Sequence, residues 1–344
     1  MYLVTVIIPC FNEKSFIEQA LDSALSIDNS FFDVEVIVVD GISDDGTRDI
    51  VARMAREDSR ITLIDNPNRV VPYAMNIGIK KASGDLIVRL DAHAVYPEGY
   101  IKELVKSSLD YKADNIGGVW DIHPPTDDLQ AKVNSIVSAH RLGIGNASYR
   151  TGIDKPTQVD TVPFGCFPRT LFDRIGLFDI DMVRNQDDEL NARILKAGGK
   201  IILLPNLVIK YYCRAKLVDL SRMFFQYARF KPLGNIKVGR ISTLRQLAPP
   251  IFVLGMIGIW SLFCFGLIAL ILPASLTSIY LAIIFAVSTR LALSNQLGIK
   301  GTFALAMTFL TVHFSYGLGY FKGIYDFVIR KEHKKVGIDV ASTR

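Results

Sequence analysis

Four stretches in the first third of the chain are almost continuously apolar: LVTVIIPC (residues 3–10), VEVIVVD (34–40), RITLID (60–65) and DLIVRLD (85–91). Each has strand length and carries β-branched residues, and the segments between them change to helical spacing. Between Asn12 and Ile27, apolar side chains recur at Phe16, Ile17, Ala20, Leu21, Ala24 and Leu25, and Thr47 to Glu57 forms a second predicted helix. Strands that are apolar without alternation are buried on both faces, as in a parallel sheet covered by helices. The predicted fold class is α/β: a Rossmann-like, mostly parallel sheet with flanking helices.

Ligands of such sheets lie beyond the carboxyl ends of the strands. Those ends carry Pro9-Cys10-Phe11-Asn12-Glu13, the run DGISDDGT from Asp40 to Thr47, and Asp91-Ala92-His93. Three polar clusters thus converge on one crevice. Residues 111–185 carry a weaker pattern, in which PFGCFPRTLFDRIGLFD (163–179) reads as a loop packing beneath the site. NQDDELNARILKAG (185–198) then reads as a helix, with Leu190, Ile194 and Leu195 on one side and Gly198-Gly199 ending it.

The C-terminal third is different. No Asp, Glu, Lys or Arg occurs from Gln246 through Thr289, and Lys300 is the only one from Leu291 to Phe321. Ile251 to Leu272 is long enough to cross a bilayer, and Leu276 to Leu293 and Thr302 to Phe321 are two further candidates. Ahead of them, nine basic residues (Lys210, Arg214, Lys216, Arg222, Arg229, Lys231, Lys237, Arg240 and Arg245) face one acid, Asp219. A cationic stretch abutting an apolar span suits anionic head groups on the cytoplasmic side, so membrane lipids are expected partners. Nucleic acid is disfavoured, because nothing in the chain matches a nucleic-acid motif.

The chain is accordingly expected to divide into an α/β domain (1–231), a basic juxtamembrane segment (232–248), transmembrane helices (249–322) and a basic tail (323–344). Three crossings would place the tail's RKEHKK outside, against the positive-inside tendency. An internal C-terminus is therefore expected, with one of the last two segments re-entrant or interfacial. The N-terminus lacks a basic start followed by an apolar core, so no secretion signal is expected. Cys10, Cys166, Cys213 and Cys264 show no C-x-x-C spacing and are expected to be reduced, buried thiols of a cytoplasmic domain. An oligomer is compatible with all of this.

No G-x-G-x-x-G follows the first strand and no G-x-x-x-x-G-K-[ST] occurs, so dinucleotide and P-loop readings lack their phosphate cradles. DGISDDGT is not an EF-hand loop, since Ile42 and Asp45 stand where a ligand and the glycine are needed. Asp40 is expected to hydrogen-bond a base or sugar, while Ser43 or Asp45 caps the following helix. Asp91 and His93, two residues apart at a strand end, would face one space if extended, and a carboxylate with an imidazole accepts Mn²⁺ well and tolerates Mg²⁺. Asp187, Asp188 and Glu189 begin a helix whose dipole favours carboxylates; one of them could serve as a general base, and the spacing does not choose among them.

VTVIIPCFNE, VVDGISDDGT, NIGIKKASGDLIVRLDAH and NQDDELNARI resemble, in order, the motifs of family 2 inverting glycosyltransferases of the GT-A fold, over roughly residues 1 to 231. NPNRVVPYAMN and RLDAHAVYP are most similar to the succinoglycan-type glucosyltransferases of bacterial exopolysaccharide assembly. The resemblance implies that Pro9, Asn12, Glu13, Asp40, Ser43 and Asp91 bind the nucleotide of a UDP-sugar. It places Asp91 and His93 at the metal-binding D-x-D position, with Mg²⁺ or Mn²⁺ as cofactor, His93 departing from the usual second Asp. The family's Glu-Asp pair falls on Gln186 and Asp187, which makes Asp187 the implied base. QYARF (226–230) resembles the Q-x-x-R-W element with Phe for Trp. Gln226, Arg229 and Phe230, with Asp188, would then hold acceptor and leaving group, Arg229 nearest the diphosphate and Phe230 stacking on the sugar.

The expected function is a membrane-anchored enzyme of the bacterial inner membrane, its catalytic domain cytoplasmic. It would move a sugar, glucose by resemblance, from a UDP-sugar to a lipid-linked saccharide and form a β-linkage by inversion. The alternative is a polyprenyl-phosphate sugar transferase, with the lipid phosphate itself as acceptor. Asp40, Asp91 and Asp187 together argue against an inert scaffold, and the few spans argue against a processive polymerase.

Overall fold

The computed structural model describes residues 2–25 and 32–332. Strands β1 (Tyr2–Cys10), β2 (Phe32–Asp40), β3 (Ile61–Asp65), β4 (Leu86–Arg89), β5 (Asn115–His123), β6 (Thr157–Gln158), β7 (Cys166–Pro168) and β8 (Ile201–Tyr212) form one sheet, in the order β3-β2-β1-β4-β7-β5-β8-β6. The first half is parallel throughout. β7 is antiparallel to both β4 and β5, and β5 returns to a parallel pairing with β8.

Helices α1 (Ile17–Leu25), α2 (Thr47–Glu57), α3 (Val71–Lys81), α4 (Tyr100–Tyr111), α5 (Leu129–Ala139), α6 (Arg141–Ile144), α7 (Ser148–Thr151), α8 (Thr170–Ile175) and α9 (Gln186–Lys196) accompany the sheet. Burial on both faces follows from the unbroken apolar strands. Val4, Val6 and Ile8 of β1 join Ile17 and Leu21 of α1 and Leu104 of α4 in one cluster, while Ile7 joins Met75 of α3 and Leu190 and Ile194 of α9 in the other. Gly78 lets α3 lie directly on β1, since a Cβ there would stand 2.7 Å from the Ile7 side chain.

The structure departs from the expected elements in three places. α1 begins at Ile17 instead of Asn12, because Asn12 is left-handed (φ 57°) and the Glu13 carbonyl closes a turn on Phe16 and Ile17. The expected end at Ile27 lies outside the described residues. In the segment read as a loop, Cys166–Pro168 is a strand at the centre of the sheet and Thr170–Ile175 is a helix. Three residues are too few to show a period.

Beyond the sheet, α10 (Leu217–Val238) is one continuous helix, so the boundary expected at 231 falls inside it. It is followed by α11 (Ala248–Cys264), α12 (Ile271–Ser294), α13 (Gly298–Gly323) and a π-helical turn, Ile324–Ile329. The span expected from Ile251 to Leu272 is broken: α11 stops at Cys264 and Gly266 turns left-handed (φ 71°). Among the described residues two helices, Leu244–Cys264 and Ile271–Ser294, are long and apolar enough to cross a membrane, and both expose most of their side chains. Cys264 is exposed on the first of them, a correction to the expectation of four buried thiols; the other three are buried.

The third apolar segment packs against the catalytic domain instead. Leu305, Phe309 and Val312 of α13 share a cluster with Val133 and Val137 of α5 and Leu220 and Phe224 of α10. At Gly319 and Gly323 the α13 backbone meets that of α10 so closely that a Cβ would lie 2.2 Å from the Phe225 carbonyl oxygen and 2.1 Å from that of Arg229. Small residues permit this approach. Of the expected tail, Gly323 through Glu332 is described, and residues 333–344 lie outside the described residues.

Gly319→Ala should lower the unfolding free energy of the detergent-purified chain by about 1–3 kcal/mol, the usual range for overpacking. Gly255→Ala, where a Cβ meets nothing within 4 Å, is the control and should leave thermal unfolding unchanged. Equal melting of the two variants would refute the close seam.

Candidate active site

The carboxyl ends of β1 and β2 are laced into one surface. Asp40, fully buried, accepts from the Ser43 amide (2.9 Å), the Ser43 hydroxyl (2.5 Å) and the Cys10 thiol (3.4 Å), and pairs with Arg48 (2.8 Å). Ser43 Oγ accepts from the Asn12 amide (2.8 Å), Asn12 Oδ1 from the Asp44 amide (3.0 Å), and Thr47 Oγ1 from the Glu13 amide (2.9 Å). Asp40 therefore shapes this loop, with both oxygens turned toward protein donors and away from the base or sugar expected from the sequence. Ser43 braces Asp40 and does not cap α2. Asp45 Oδ1 accepts from the Thr47 amide (3.0 Å), while the cap position itself is Gly46 in a left-handed conformation. Pro9 lies in the next-to-last rung of the β1–β2 ladder, opposite Val39.

The centre of the crevice is organised by a residue that the sequence pattern hid inside an apolar strand. Arg89, 3% exposed at the end of β4, donates from Nε to Asp91 Oδ1 (2.8 Å), from Nη2 to Asp91 Oδ2 (3.1 Å) and from Nη1 to Asp187 Oδ1 (2.6 Å). Its guanidinium also lies over the Phe164 ring, 5.6 Å from the centroid. Phe164 itself is left-handed (φ 61°) in the Pro163–Gly165 turn, so that part of the predicted loop does pack beneath the site. An arginine in an otherwise apolar strand was the available signal.

Asp91 and His93 are not on extended backbone, since β4 ends at Arg89. Residues 91–94 form a turn closed by the Ala94 amide on the Asp91 carbonyl (3.2 Å), and the Asp91 amide donates to the Tyr96 hydroxyl (2.7 Å). His93 Nδ1 stands 3.2 Å from Glu13 Oε1. A carboxylate can only accept, so Nδ1 carries the proton and Nε2 is left as the acceptor or ligand atom.

The three acids at the start of α9 have separate fates. Glu189 is buried in an ion pair with Arg193 (2.6 Å) on its own helix. Asp188 pairs with Lys231 of α10 (2.7 Å); burial would raise its carboxyl, but Lys231 holds it below the ordinary value. Asp187 alone faces Arg89 and the crevice. Burial pushes its pKa up to about 6, with the Arg89 cation opposing and the charges of Asp91 and Asp188 adding. Asn185 fixes the start of α9, its Nδ2 donating to the Tyr227 carbonyl of α10 (2.7 Å).

The QYARF element divides. Gln226 lines a pocket on α10 with Arg184, Arg214 and Arg222. Arg229 Nε pairs with the buried Asp326 (2.7 Å), which also pairs with Lys322, so its charge is directed to the turn after α13 and not to a diphosphate. Phe230, 5% exposed, is packed with Val70, Met182, Leu233 and Phe327, which removes its ring from sugar stacking. Val70, Met182 and Phe327, three of the partners that bury this ring, lie far from it in the chain, beyond the reach of a local motif.

A divalent cation at Asp91 and His93 would have two protein donors. Among the described residues no group of three or more His, Cys, Asp or Glu is placed to hold a metal. One carboxylate and one imidazole nitrogen, with phosphate oxygens and water completing the shell, is a donor set that Mg²⁺ and Mn²⁺ accept. The residues therefore fit the cofactor.

An open, largely parallel sheet whose strand ends carry an acidic crevice has the GT-A arrangement. The mannosyltransferase PcManGT of Pyrobaculum calidifontis, solved with GDP-Man and Mn²⁺, shares this fold at a TM-score of 0.56 and 21% identity, over 94% of this chain and 87% of that one. The Glycosyl transferase family 2 profile matches residues 5–176, and the chain belongs to that family: it is a glycosyltransferase of glycan biosynthesis. It is 33% identical to the succinoglycan biosynthesis protein ExoA of Rhizobium meliloti over 246 residues, 71% of this chain and 73% of that protein. It is 26% identical over 334 residues to a dolichyl N-acetyl-alpha-D-glucosaminyl phosphate 3-beta-D-2,3-diacetamido-2,3-dideoxy-beta-D-glucuronosyltransferase of Methanococcus voltae, 94% of this chain and 98% of that protein.

Arg89→Gln removes the cation that lowers the Asp187 carboxyl. The acid limb of kcat/KM, expected near pH 6 in the wild type, should move to higher pH in the variant. An unshifted limb would show that Arg89 does not act on the titrating group.

Proposed function

We propose that this chain transfers a sugar from a UDP-sugar to a saccharide carried on a membrane lipid, with inversion. The observation that carries the reading is Asp187: a carboxylate at the crevice with a pKa pushed up to about 6, held toward Asp91 by a buried arginine. A base titrating near the working pH is ionised yet still basic enough to take a proton.

In the proposed reaction, Asp187 accepts the proton of an acceptor hydroxyl as that oxygen bonds to the anomeric carbon. The bond from that carbon to UDP breaks on the opposite face, so an α-linked donor gives a β-linked product. Asp91 and His93 would hold Mg²⁺ or Mn²⁺, which when bound supplies charge stabilisation to the diphosphate. Arg89 keeps Asp187 aimed and ionised, and the Asn12–Glu13 and Ser43–Asp45 loops form the nucleotide side of the crevice. The relatives support this reading by their names: one belongs to succinoglycan biosynthesis and another acts on a dolichyl phosphate-linked sugar. Helices α11 and α12 would anchor the enzyme in the inner membrane, the catalytic domain on the cytoplasmic side.

Asp187→Asn should lower turnover by about 10²-fold or more while leaving UDP affinity within about twofold, the signature of a lost general base. UDP release by the detergent-purified chain, supplied with native lipid extract and a panel of UDP-sugars, is the measurement. Near-normal release in the variant would remove Asp187 from the role. Chelator should abolish release, and added Mn²⁺ or Mg²⁺ should restore it; chelator-resistant release would exclude the proposed cation. Stability of the product to mild acid would separate a saccharide acceptor from a lipid-phosphate acceptor.

A further inference from the structure

Arg184, Arg214, Arg222 and Gln226 line a cavity of about 230 Å³ with Met223 and a single acid, Asp219. That acid offsets little of the charge. Among the described residues it pairs only with Arg222, at 3.4 Å, and both side chains of the pair are largely solvated, which makes the pair weak. Arg214 makes no ion pair among the described residues. Next to the cavity, Tyr211 stacks on Trp120 at 4.1 Å, and the buried Arg150 lies over that Trp120 ring, also without an ion pair among the described residues. Arg214 and Arg222 therefore bring to the wall guanidinium groups with little counter-charge among the described residues, the side chain best matched to phosphate oxygens.

The position of the cavity decides what that phosphate belongs to. On one side, Arg184 lies three residues before Asp187, and Asn185 between them donates to the carbonyl of Tyr227 (2.7 Å), the neighbour of Gln226 on α10, so the cavity adjoins the crevice. On the other, the α10 turn that supplies Asp219, Arg222 and Gln226 is the one seated on α13, through Ser221 Oγ and Ser315 Oγ (2.7 Å) and the contact of Gly319 with Phe225. The next stretch of α13 lies on α11, where a Cβ at Gly317 would stand 2.5 Å from Val253. A phosphate held here sits between the base and the exposed apolar helices. A nucleotide has no group that requires that junction, whereas the phosphate joining a saccharide to its lipid must lie there.

We propose that the Arg184–Arg214–Arg222 pocket binds the phosphate or diphosphate of the lipid-linked acceptor, placing its sugar beside Asp187. This rests on the lipid-linked acceptor of the proposed function and adds its binding site. The exposed Arg214 and Arg222 are the residues to change.

The test uses the full chain in neutral detergent, saturated with UDP and Mn²⁺, with farnesyl diphosphate as probe and calorimetry as readout. Arg214→Gln/Arg222→Gln should bind farnesyl diphosphate at least about tenfold more weakly than wild type, a typical loss for charge-assisted contacts. Farnesol should bind weakly and equally to both proteins, and the UDP affinity should agree within about twofold, which also shows that the variant is folded. Unchanged farnesyl diphosphate affinity, or a loss seen only for UDP, would overturn the proposal. Inorganic pyrophosphate binding as tightly as the farnesyl form would assign the pocket to a free anion and overturn the lipid assignment. Sugar transfer to lipid extract is a separate readout: if it persists while the arginines prove irrelevant to prenyl diphosphate binding, only this inference falls. If wild-type chain releases no UDP with any lipid extract while the probe still binds, it is the acceptor reading that falls.

Discussion

Burying the Arg89 guanidinium without partners would cost several kcal/mol, and the fold answers that cost by bringing two carboxylates from distant parts of the chain against it. Asp91 comes from the turn after β4 and Asp187 from the start of α9. Neither can be displaced without stranding the cation, and the cation cannot leave without setting two like charges beside each other. This mutual requirement joins the β4 end to α9, across the short antiparallel β7 and the Phe164 turn beneath it. It also explains why the Asp187 carboxyl is at once raised toward neutrality and kept ionisable: burial acts one way and Arg89 the other.

The second constraint is α10, which makes the basic segment something other than a uniform cationic face. Lys231 pairs with Asp188, Arg229 with Asp326, Lys237 with Asp179 and Asp181, and Arg245 with Asp160. Three of these four lie on α10 and tie it to the sheet domain and to the turn after α13, while Arg245 ties the segment after α10 to Asp160. Arg214 and Arg222 are left with little or no counter-charge, and they stand together at one pocket. Charge counting over the linear segment cannot separate these groups, because every one of the pairing acids lies elsewhere in the chain.

That is also where legibility ended more generally. The four apolar strands, helix α2 to its residue bounds and the convergence of three polar loops were readable, because each is a local pattern with its own period. The acidic start of α9 was readable as a trio, but its division into a buried helix pair, an α10 anchor and a crevice carboxylate depends on Arg193, Lys231 and Arg89 in three different elements. Arg89 was passed over because a strand reading rewards apolar neighbours. Phe230 and Arg229 were assigned from a short motif, whereas their surroundings are fixed by Phe327 and Asp326, about a hundred residues later in the chain. The span expected over 251–272 is present as a helix but ends early, at Cys264, for a conformational reason, the left-handed turn at Gly266 inside a run that composition alone reads as uniform.

The seam between α10 and α13 bears on how the proposed lipid-linked acceptor and a soluble donor would meet. At Gly319 and Gly323 the two helices touch through backbone, and at Asp326 they are joined by a buried charge, so α10 cannot slide or rotate alone. The opposite side of α10 carries Lys231, which holds Asp188 next to Asp187. Asp187, the arginine pocket and the apolar helices therefore share one rigid support. An acceptor confined to two dimensions by its lipid loses little further freedom if its phosphate is captured at a fixed height, and the sugar's reach to Asp187 is then set by the geometry of α10 and not by a mobile lid.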